Sequence, residues 1–291
     1  MKIIVTGSNG FVGKHLIELL KKNKENIIFP LDFKQADITK YAEVKAYLEK
    51  IKPDQVYHLA GFASGAGKDK DLIFKVNIEG TLNILKALKV IGKPVRILLA
   101  STAYVYGNTP VCVKEDGKID TKSFYDQSKI KMEEEGLKYQ NGKIKIVITR
   151  ASNHTGPGQK LGFAVPDFCS QITKAKDDAE IIIGNLSAQR DLFDVRDCVR
   201  AYELIMRKGM SGEIYNIGTG KTIEVKKILE MLIKISSKNI SYKIDSKKMR
   251  PSDIEKNCVD SSKVSVLGWA PKIALEKTLR DTYNYFEILV K

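Results

Sequence analysis

The feature that most constrains this chain is an apolar strand, a glycine-rich turn and an amphipathic helix, in that order, at its beginning. Residues 2–6 form the apolar run, and residues 7–13 read Gly-Ser-Asn-Gly-Phe-Val-Gly. In this context small residues let the backbone approach a pyrophosphate, and the helix N-terminus supplies N–H donors and a partial positive charge. The G-x-x-G-x-x-G spacing therefore predicts a dinucleotide-binding turn.

Strands alternate with helices through the first half, which predicts a doubly wound parallel sheet. Ligands bind such sheets at the carboxyl ends of the strands. Five candidate residues lie at or after the end of a predicted strand, so we expect them on one edge: Gly7, Asp32, Leu59, Thr102 and Asn153. The strands are predicted at 2–6, 26–31, 55–60, 96–101 and 143–149, with helices from 11, from about 40, over 71–91 and over 124–141.

The alternation weakens after Arg150, where the strands become short. They are predicted at 180–183, 190–195 and 213–217, with helices at 162–175, 195–208, 222–235 and after Pro271. We therefore predict an α/β chain with two parts. A Rossmann domain comprises residues 1–155 plus about 190–220. A smaller C-terminal α/β substrate lobe comprises about 156–189 plus 221–291.

Tyr125 and Lys129 are the candidate catalytic pair, because residues four apart share one face of a helix. A nearby cation favours the phenolate, so Lys129 is expected to lower the pKa of Tyr125 toward neutrality. Such a tyrosine can act as a general acid or base at pH 7. Thr102, at the end of an apolar strand, could hydrogen-bond the same substrate oxygen. The alternative is an ordinary solvated helix face.

Two charged residues carry the prediction of the cofactor type, and two further polar residues each have two possible roles. Asp32 lies about twenty residues past the glycines, where an acid binds ribose hydroxyls and favours NAD. Lys34 could meet a 2′-phosphate, so the predicted cofactor is NADP(H) or NAD(H). Asp37 either contacts adenine or caps the helix that begins near Lys40. Asn77 either bridges backbone groups near the active site or faces solvent.

Composition narrows the class of protein. The chain has 291 residues and a net charge of +14, but its lysines are interleaved with acids, so we expect a lysine-rich surface that attracts an anionic substrate, not nucleic acid. The four cysteines are scattered, so neither a disulfide framework nor a zinc site is expected, in keeping with a reducing cytoplasm. No apolar run suits a signal peptide or a membrane span, and no bound metal is expected.

The whole chain resembles the extended short-chain dehydrogenase/reductases that act on nucleotide sugars. The matching segments are 6–13, 37–38, 58–61, 77–81, 101–107, 125–129 and 153–158. The second half is most similar to bacterial GDP-4-dehydro-6-deoxy-D-mannose reductases, which form GDP-rhamnose. The segments that carry this likeness are 150–159, 161–163, 184–186, 190–191, 194–197 and 250–253.

The family also includes dehydratases, whose catalytic threonine is followed by an acidic pair or by Ser-Glu. Ala103 and Tyr104 stand at those places here. Without a carboxylate, elimination of water across C5–C6 lacks its acid and base. The resemblance therefore implies a reductase or an epimerase, not a dehydratase.

The resemblance implies that a reduced nicotinamide delivers hydride to C4 of a 4-keto-6-deoxy sugar on a nucleotide, with GDP favoured. Tyr125 would donate the proton, Lys129 would tune Tyr125 and hold the nicotinamide ribose, and Thr102 would orient the carbonyl. The alternatives are a nucleotide-sugar 4-epimerase with tightly bound NAD and a non-catalytic dinucleotide-binding subunit. A homodimer is expected to form through the helices near 71–91 and 124–141.

The implied binding residues form two sets. The cofactor set is Gly7, Asn9, Gly10, Phe11, Val12, Gly13, Asp32, Asp37, Ile38, Leu59, Ala60, Gly61, Asn77, Tyr125 and Lys129. The substrate set is Ser64, Thr102, Asn153, Val165, Arg190 and Arg250, of which Asn153, Arg190 and Arg250 are the implied diphosphate and ribose contacts. Arg190 could instead form a salt bridge with Asp191 or Asp194, and His154 is expected to be structural or part of the cofactor loop.

Overall fold

A computed structural model describes residues 1–62, 69–245, 247 and 254–290. The strands are β1 (Lys2–Thr6), β2 (Ile27–Leu31), β3 (Gln55–His58), β4 (Val95–Thr102), β5 (Ile144–Ala151), β6 (Asn153–Thr155), β7 (Glu180–Ile183), β8 (Gln189–Arg190), β9 (Leu192–Asp194), β10 (Ile214–Ile217), β11 (Ile223–Glu224), β12 (Ser241–Ile244) and β13 (Lys256–Asn257). The helices are α1 (Phe11–Leu20), α2 (Tyr41–Ile51), α3 (Lys70–Phe74), α4 (Gly80–Ile91), α5 (Phe124–Leu137), α6 (Ala164–Lys174), α7 (Val195–Lys208), α8 (Val225–Ser236), α9 (Ser262–Val266) and α10 (Leu275–Val290).

Six parallel strands form the central sheet, in the order β10-β5-β4-β3-β1-β2. The chain moves outward from β1 in one direction to β2 and in the other through β3, β4 and β5. The predicted doubly wound parallel sheet is therefore confirmed. Because all six strands point the same way, the residues that follow them lie along one edge, as expected.

Both faces of the sheet are covered by helices, so the strands are apolar on both sides. In β1, Ile3 and Val5 pack toward α1 and α7, whereas Ile4 packs toward α2 and α4. All three side chains are fully buried. Burying a side chain of this size contributes about 1.5–3 kcal/mol to the stability of the fold. The two core layers therefore fix β1 and, with it, the glycine turn that follows.

A third apolar core lies among α6, β7, α8 and α10 in the second half of the chain. Leu229, Leu232 and Leu279 are fully buried there. Val264 and Trp269, although late in the sequence, pack with the core of the central sheet. The predicted domain boundaries stay a prediction.

Three predicted elements differ from the observed ones. The helix predicted over 71–91 is divided into α3 and α4 by a π-helical turn at Lys75–Glu79. The helix predicted to reach 141 ends at Leu137, because the Asn141 side chain accepts the backbone N–H groups of Lys143 and Ile144 and turns the chain into β5. The strand predicted at 190–195 is two strands, β8 and β9, separated by Asp191.

The expectation that the cysteines form no disulfide is wrong. Cys112 and Cys258 are bonded across 146 residues of sequence, with their Cα atoms 4.5 Å apart. The loop after β4 runs beside the segment after β13, where Val113 bridges to Val259. Spacing alone could not reveal a pair that only the tertiary fold brings together. Cys169 and Cys198 are free and buried.

Among the helices in the described part of the chain, none has both the length and the apolar character needed to cross a membrane.

Candidate active site

The glycine turn joins β1 to α1 at the carboxyl edge of the sheet. Gly7 has φ of 66°, which favours glycine, and a Cβ at this position would lie 2.9 Å from the backbone nitrogen of Ala60. Gly10 directly precedes α1, and Gly13 is buried within that helix. The turn and the loop after β3 thus approach as closely as two backbones can. This arrangement fits a dinucleotide whose phosphates lie against main chain.

The neighbouring cofactor candidates have different surroundings. The Phe11 ring stacks on His154 with ring centroids 6.3 Å apart, which places His154 beside the glycine loop. Val12 and Leu59 are partly buried and pack against the core of the sheet. Asn9 is exposed, and its backbone N–H donates to Asp32.

A cavity of about 410 Å³ lies beside the turn, and six of the predicted cofactor residues line it. They are Gly7, Asp32, Asp37, Ile38, Ala60 and Gly61. One carboxylate oxygen of Asp32 accepts the Ser8 hydroxyl and the Asn9 N–H, the latter at 2.8 Å. Its second oxygen has no such partner among the described residues, so it is available to accept a ribose hydroxyl.

Asp37 stabilises the turn before α2. One carboxylate oxygen accepts the backbone N–H of Thr39 at 2.9 Å and the Thr39 hydroxyl at 2.8 Å. The residue preceding α2 is Lys40, so Asp37 does not cap the helix itself. Because Asp37 also lines the cavity, its predicted contact with adenine stays open.

Asn77 lies in the π-turn and is 1% exposed, so it does not face solvent. Its side-chain oxygen accepts the backbone N–H of Phe62 at 2.9 Å, and its amide donates to the Ser128 hydroxyl at 2.9 Å. Ser128 in turn donates to the backbone oxygen of Tyr125 at 2.7 Å. Asn77 therefore joins the loop after β3 to the first turn of α5. A π-turn at such a position is common at functional sites.

A second chain of hydrogen bonds runs through the buried His58. Thr6 accepts the backbone N–H groups of Leu59 and Ala60, so its own proton faces His58 Nδ1, 2.8 Å away. His58 Nε2 lies 2.8 Å from the Thr81 hydroxyl, which already donates to the backbone of Asn77. These partners fit a neutral ring with its proton on Nε2. Burial, with a smaller effect of the Lys129 charge, lowers the pKa of His58 to about 3.

Thr102, Tyr125 and Lys129 meet where β4 ends and α5 begins. Ser123 caps α5 by accepting the N–H of Asp126, which fixes Tyr125 in the first turn. Burial raises the pKa of the Tyr125 phenol above its usual value, and a hydrogen bond with Thr102 opposes that shift. The expected fall toward neutrality is therefore not seen. A phenol that stays protonated at neutral pH suits a proton donor.

Lys129 is buried beside both the tyrosine and the loop after β3. Its Nζ donates to the backbone oxygen of Ala100 at 2.8 Å and lies 6.0 Å from the centroid of the Tyr125 ring. A Cβ on Gly61 would lie 3.5 Å from this Nζ and 2.7 Å from the Asn77 side-chain oxygen. Burial lowers the pKa of Lys129 to about 8, and the Glu133 charge opposes that shift.

A buried ion pair supports this constellation from below. Glu133, one helical turn beyond Lys129, accepts the Ser101 hydroxyl and the Arg150 guanidinium, whose Nη2 is 2.6 Å away. Arg150 also donates to the Tyr106 hydroxyl at 2.8 Å. The pair thus connects α5 and β5 to residues on both sides of Thr102. Sequence reasoning missed it, because neither charge stands out in a lysine- and glutamate-rich chain.

Two partly buried residues stand on the other side of Thr102. Tyr104 lies in a 3₁₀ turn (Ala103–Tyr106) directly after β4, and its N–H donates to the Thr102 hydroxyl at 3.2 Å. Its own hydroxyl accepts the Asn153 amide at 3.0 Å. Ala103 is fully buried. Thr102 is therefore followed by an apolar residue and a phenol, with no carboxylate at either place.

The remaining predicted substrate residues are placed as follows. Arg190 donates to the backbone oxygens of Gln189 and Glu255, and no carboxylate pairs with it in the described ranges. Asp191 accepts instead from Thr219 and Gly220. Val165 is buried in the apolar core of the second half. Ser64 and Arg250 lie outside the described residues.

Comparison with known proteins gives the family. The family model described as GDP-mannose 4,6 dehydratase matches residues 21–282. The chain belongs to this family of extended short-chain dehydrogenase/reductases. It is accordingly an NAD(P)-dependent oxidoreductase by class, and similar solved structures hold NADPH or NAD. The predictions of family, fold class, enzyme class and cofactor type are confirmed.

Two similar proteins and one solved structure are informative about the branch of this family. A GDP-6-deoxy-D-talose 4-dehydrogenase of Aggregatibacter actinomycetemcomitans is 33% identical over 272 residues, covering 92% of each chain. A GDP-6-deoxy-D-mannose reductase of Pseudomonas aeruginosa is 27% identical, covering 100% of this chain and 98% of its own. The structure of RMD from Pseudomonas aeruginosa with NADPH superposes with a TM-score of 0.90 at 27% identity, covering 99% of both chains.

Proposed function

We propose that the protein reduces the C4 keto group of a GDP-linked 4-keto-6-deoxy sugar with NAD(P)H. The observation that carries the proposal is the convergence of Thr102, Tyr125 and Lys129 at a site where residues 103 and 104 are Ala and Tyr. This site can protonate one oxygen but has no carboxylate there to remove a proton from carbon. A nucleotide-linked substrate is in keeping with the relatives in this family.

Each residue of the triad has a definite task in this reaction. When bound, the reduced nicotinamide supplies the hydride. Tyr125, kept protonated by burial, donates its proton to the oxygen that develops negative charge at C4. Thr102 hydrogen-bonds the same oxygen. Lys129 holds its positive charge 6.0 Å from the centroid of the Tyr125 ring. This charge stabilises the negative charge that develops on the phenol oxygen as the proton leaves.

The names of the two curated relatives narrow the sugar. 6-Deoxy-D-talose and 6-deoxy-D-mannose differ only in configuration at C4. Both are therefore reached by reducing the same GDP-4-keto-6-deoxy-D-mannose. We infer that this keto sugar is the substrate and that GDP-D-rhamnose, which is GDP-6-deoxy-D-mannose, is the product. The proton coupling constants at C4 of the isolated product distinguish it from the talose epimer.

The decisive experiment is cofactor oxidation with GDP-4-keto-6-deoxy-D-mannose. Wild type should oxidise one NAD(P)H per sugar reduced, and Tyr125→Phe should lower kcat by about 100- to 10,000-fold because it removes the proton donor. Tyr139→Phe, beyond the other end of α5, is the matched control and should retain full activity. A 4-epimerase would instead keep NAD bound through purification and turn over without net oxidation. Either that behaviour or full activity of Tyr125→Phe contradicts the proposal.

We also propose a homodimer formed through α3, α4 and α5. The support is a set of large apolar side chains exposed on these helices, namely Leu72, Val90 and Phe124, which are 44%, 59% and 49% exposed. Leu72→Glu should shift the mass measured by light scattering from dimer to monomer, and a monomeric wild type would contradict the proposal. A cytoplasmic location also stays a proposal, supported by the supply of reduced nicotinamide there, although the disulfide between Cys112 and Cys258 is unusual in a reducing cytoplasm.

A further inference from the structure

Tyr104 and Asn153 form a polar pair beside the catalytic threonine that the proposed mechanism does not use. Tyr104 follows Thr102 by two residues, and Asn153 begins β6 just after β5. The pair therefore joins the ends of two adjacent strands at the edge where Tyr125 lies. Both residues are partly buried, and their contact is the 3.0 Å hydrogen bond from Asn153 Nδ2 to the Tyr104 hydroxyl.

The direction of that bond leaves the Tyr104 proton and the Asn153 side-chain oxygen without a partner in the pair. Because the Tyr104 oxygen accepts from Asn153, the proton of Tyr104 must point to another acceptor. The side-chain oxygen of Asn153 is buried and has no partner in the part of the chain that the structure describes. A buried acceptor left unsatisfied costs about 1–3 kcal/mol, so this oxygen indicates a hydrogen-bond partner that is not among the described residues.

A hydroxyl group complements this pair, since a hydroxyl both accepts and donates a hydrogen bond. A phosphate or a carbonyl oxygen only accepts, so it would satisfy Tyr104 but not Asn153. Tyr104 is also linked to Tyr125 through Thr102, whose hydroxyl accepts the Tyr104 N–H and hydrogen-bonds the Tyr125 phenol. The hydroxyl that the pair recognises should therefore be close to the carbon that reacts.

The chemistry of the substrate then identifies the hydroxyl. This step rests on the proposed function. In a 4-keto-6-deoxy sugar, C4 has two carbon neighbours: C3 carries a hydroxyl, and C5 carries the ring oxygen and the methyl group. We propose that Tyr104 and Asn153 bind the C3 hydroxyl, with Tyr104 donating to it and Asn153 accepting from it. This assigns the Asn153 side chain to the sugar, where the family resemblance had implied the diphosphate or ribose.

The proposal makes Tyr104 a specificity-determining residue. With the C3 hydroxyl held beside the triad, rotation of the ring about the glycosidic linkage is restricted and one face of C4 is presented to the nicotinamide. A sugar without that hydroxyl would leave both the tyrosine proton and the asparagine oxygen unpaired. The effect should appear in kcat/KM for the sugar and not in the affinity for the cofactor.

The test compares two substrates with two proteins. The substrates are GDP-4-keto-6-deoxy-D-mannose and its 3-deoxy analogue, and the proteins are wild type and Tyr104→Phe. Removing either partner alone should lower kcat/KM about 5- to 10-fold, whereas removing both should cost no more than removing one. Asn153→Ala should lose the same discrimination. Tyr139→Phe, the matched control, should behave as wild type with both substrates.

Additive losses, in which Tyr104→Phe lowers kcat/KM equally for both substrates, would overturn the assignment of the C3 hydroxyl while leaving the reductase intact. Unchanged activity of Tyr104→Phe with the parent sugar would overturn it too. If the wild-type protein oxidises no cofactor with the parent sugar, the proposed function is wrong, and the assignment of the C3 hydroxyl is wrong with it.

Discussion

The cofactor side and the sugar side of the triad differ in how fully their polar groups are partnered. On the cofactor side, Thr6, His58 and Thr81 exchange hydrogen bonds in sequence, and Asn77 uses both ends of its amide. On the sugar side, Asn153 has a buried oxygen without a described partner. A network in which every polar group is paired fixes the backbone in one conformation. Donors and acceptors that have no protein partner are available to bind a ligand. The difference separates the residues that position the triad from those that select the substrate.

The largest expected effect concerns the buried ion pair between Glu133 and Arg150, and it tests whether this pair holds the structure around the triad. Glu133→Ala leaves the Arg150 guanidinium buried without a counter-charge, which should lower the free energy of unfolding by about 3–5 kcal/mol. Glu135→Ala, two residues along the same helix, removes ion pairs with exposed Lys131 and Lys138 and should cost about 0–1 kcal/mol. Urea unfolding at pH 7 measures both. Equal losses would mean that the buried pair contributes no more than a surface pair.

The next largest effect is a loss of stability at low pH, when His58 in the cofactor-side network becomes protonated. The folded pKa of His58 is about 3, against an ordinary value of 6.5, so the unfolded chain binds a proton between these values that the folded chain refuses. The stabilisation is complete above pH 6.5 and is lost as the pH falls toward 3. At pH 4.5 the loss from this residue should be about 2–3 kcal/mol. His58→Gln should show a smaller fall in unfolding free energy between pH 7 and 4.5, and parallel curves would contradict this account.

The smallest expected effect concerns Asp32, which is a cofactor-side residue with a recognition role. Its carboxylate, held by Ser8 and Asn9 at the rim of the cavity, should repel a 2′-phosphate, so wild type should prefer NADH to NADPH. Asp32→Asn should reduce the ratio of kcat/KM values for NADH and NADPH about tenfold. Ser8→Ala is the matched control and should reduce it less, because the Asn9 N–H still holds the carboxylate. A wild type that prefers NADPH would contradict the prediction.

Sequence patterns predicted the parts of the molecule that depend on local order. The strand, glycine turn and helix at residues 2–20 implied a parallel sheet, and the polar residues after each strand implied one shared edge. The spacing of Tyr125 and Lys129 indicated a common helix face. Each of these inferences uses neighbours within one element, where period and propensity are informative.

The features that escaped prediction depend on contacts between distant residues. The π-turn around Asn77 was not predicted, because its one extra residue displaces the apolar pattern by a single position, which a short window reads as one continuous helix. The partner of Asn153 is Tyr104, 49 positions away. The raised pKa of Tyr125 also follows from burial, which the pairing with Lys129 in sequence does not reveal. His58 and Ser128 lie within the quoted segments 58–61 and 125–129, and their polar character within buried elements was the available signal.

The disulfide between Cys112 and Cys258 sets an order of events during synthesis. The ribosome makes Cys258 146 residues after Cys112, which takes roughly 7–30 s at about 5–20 residues per second. Strands β1 to β4 precede Cys112, whereas α6, β7 and α8 all lie between the two cysteines. The bond can therefore close only after the second half has been made and brought back to the end of β4. The presence of this bond in a chain therefore shows that the segment after β4 and the segment after β13 have come into contact.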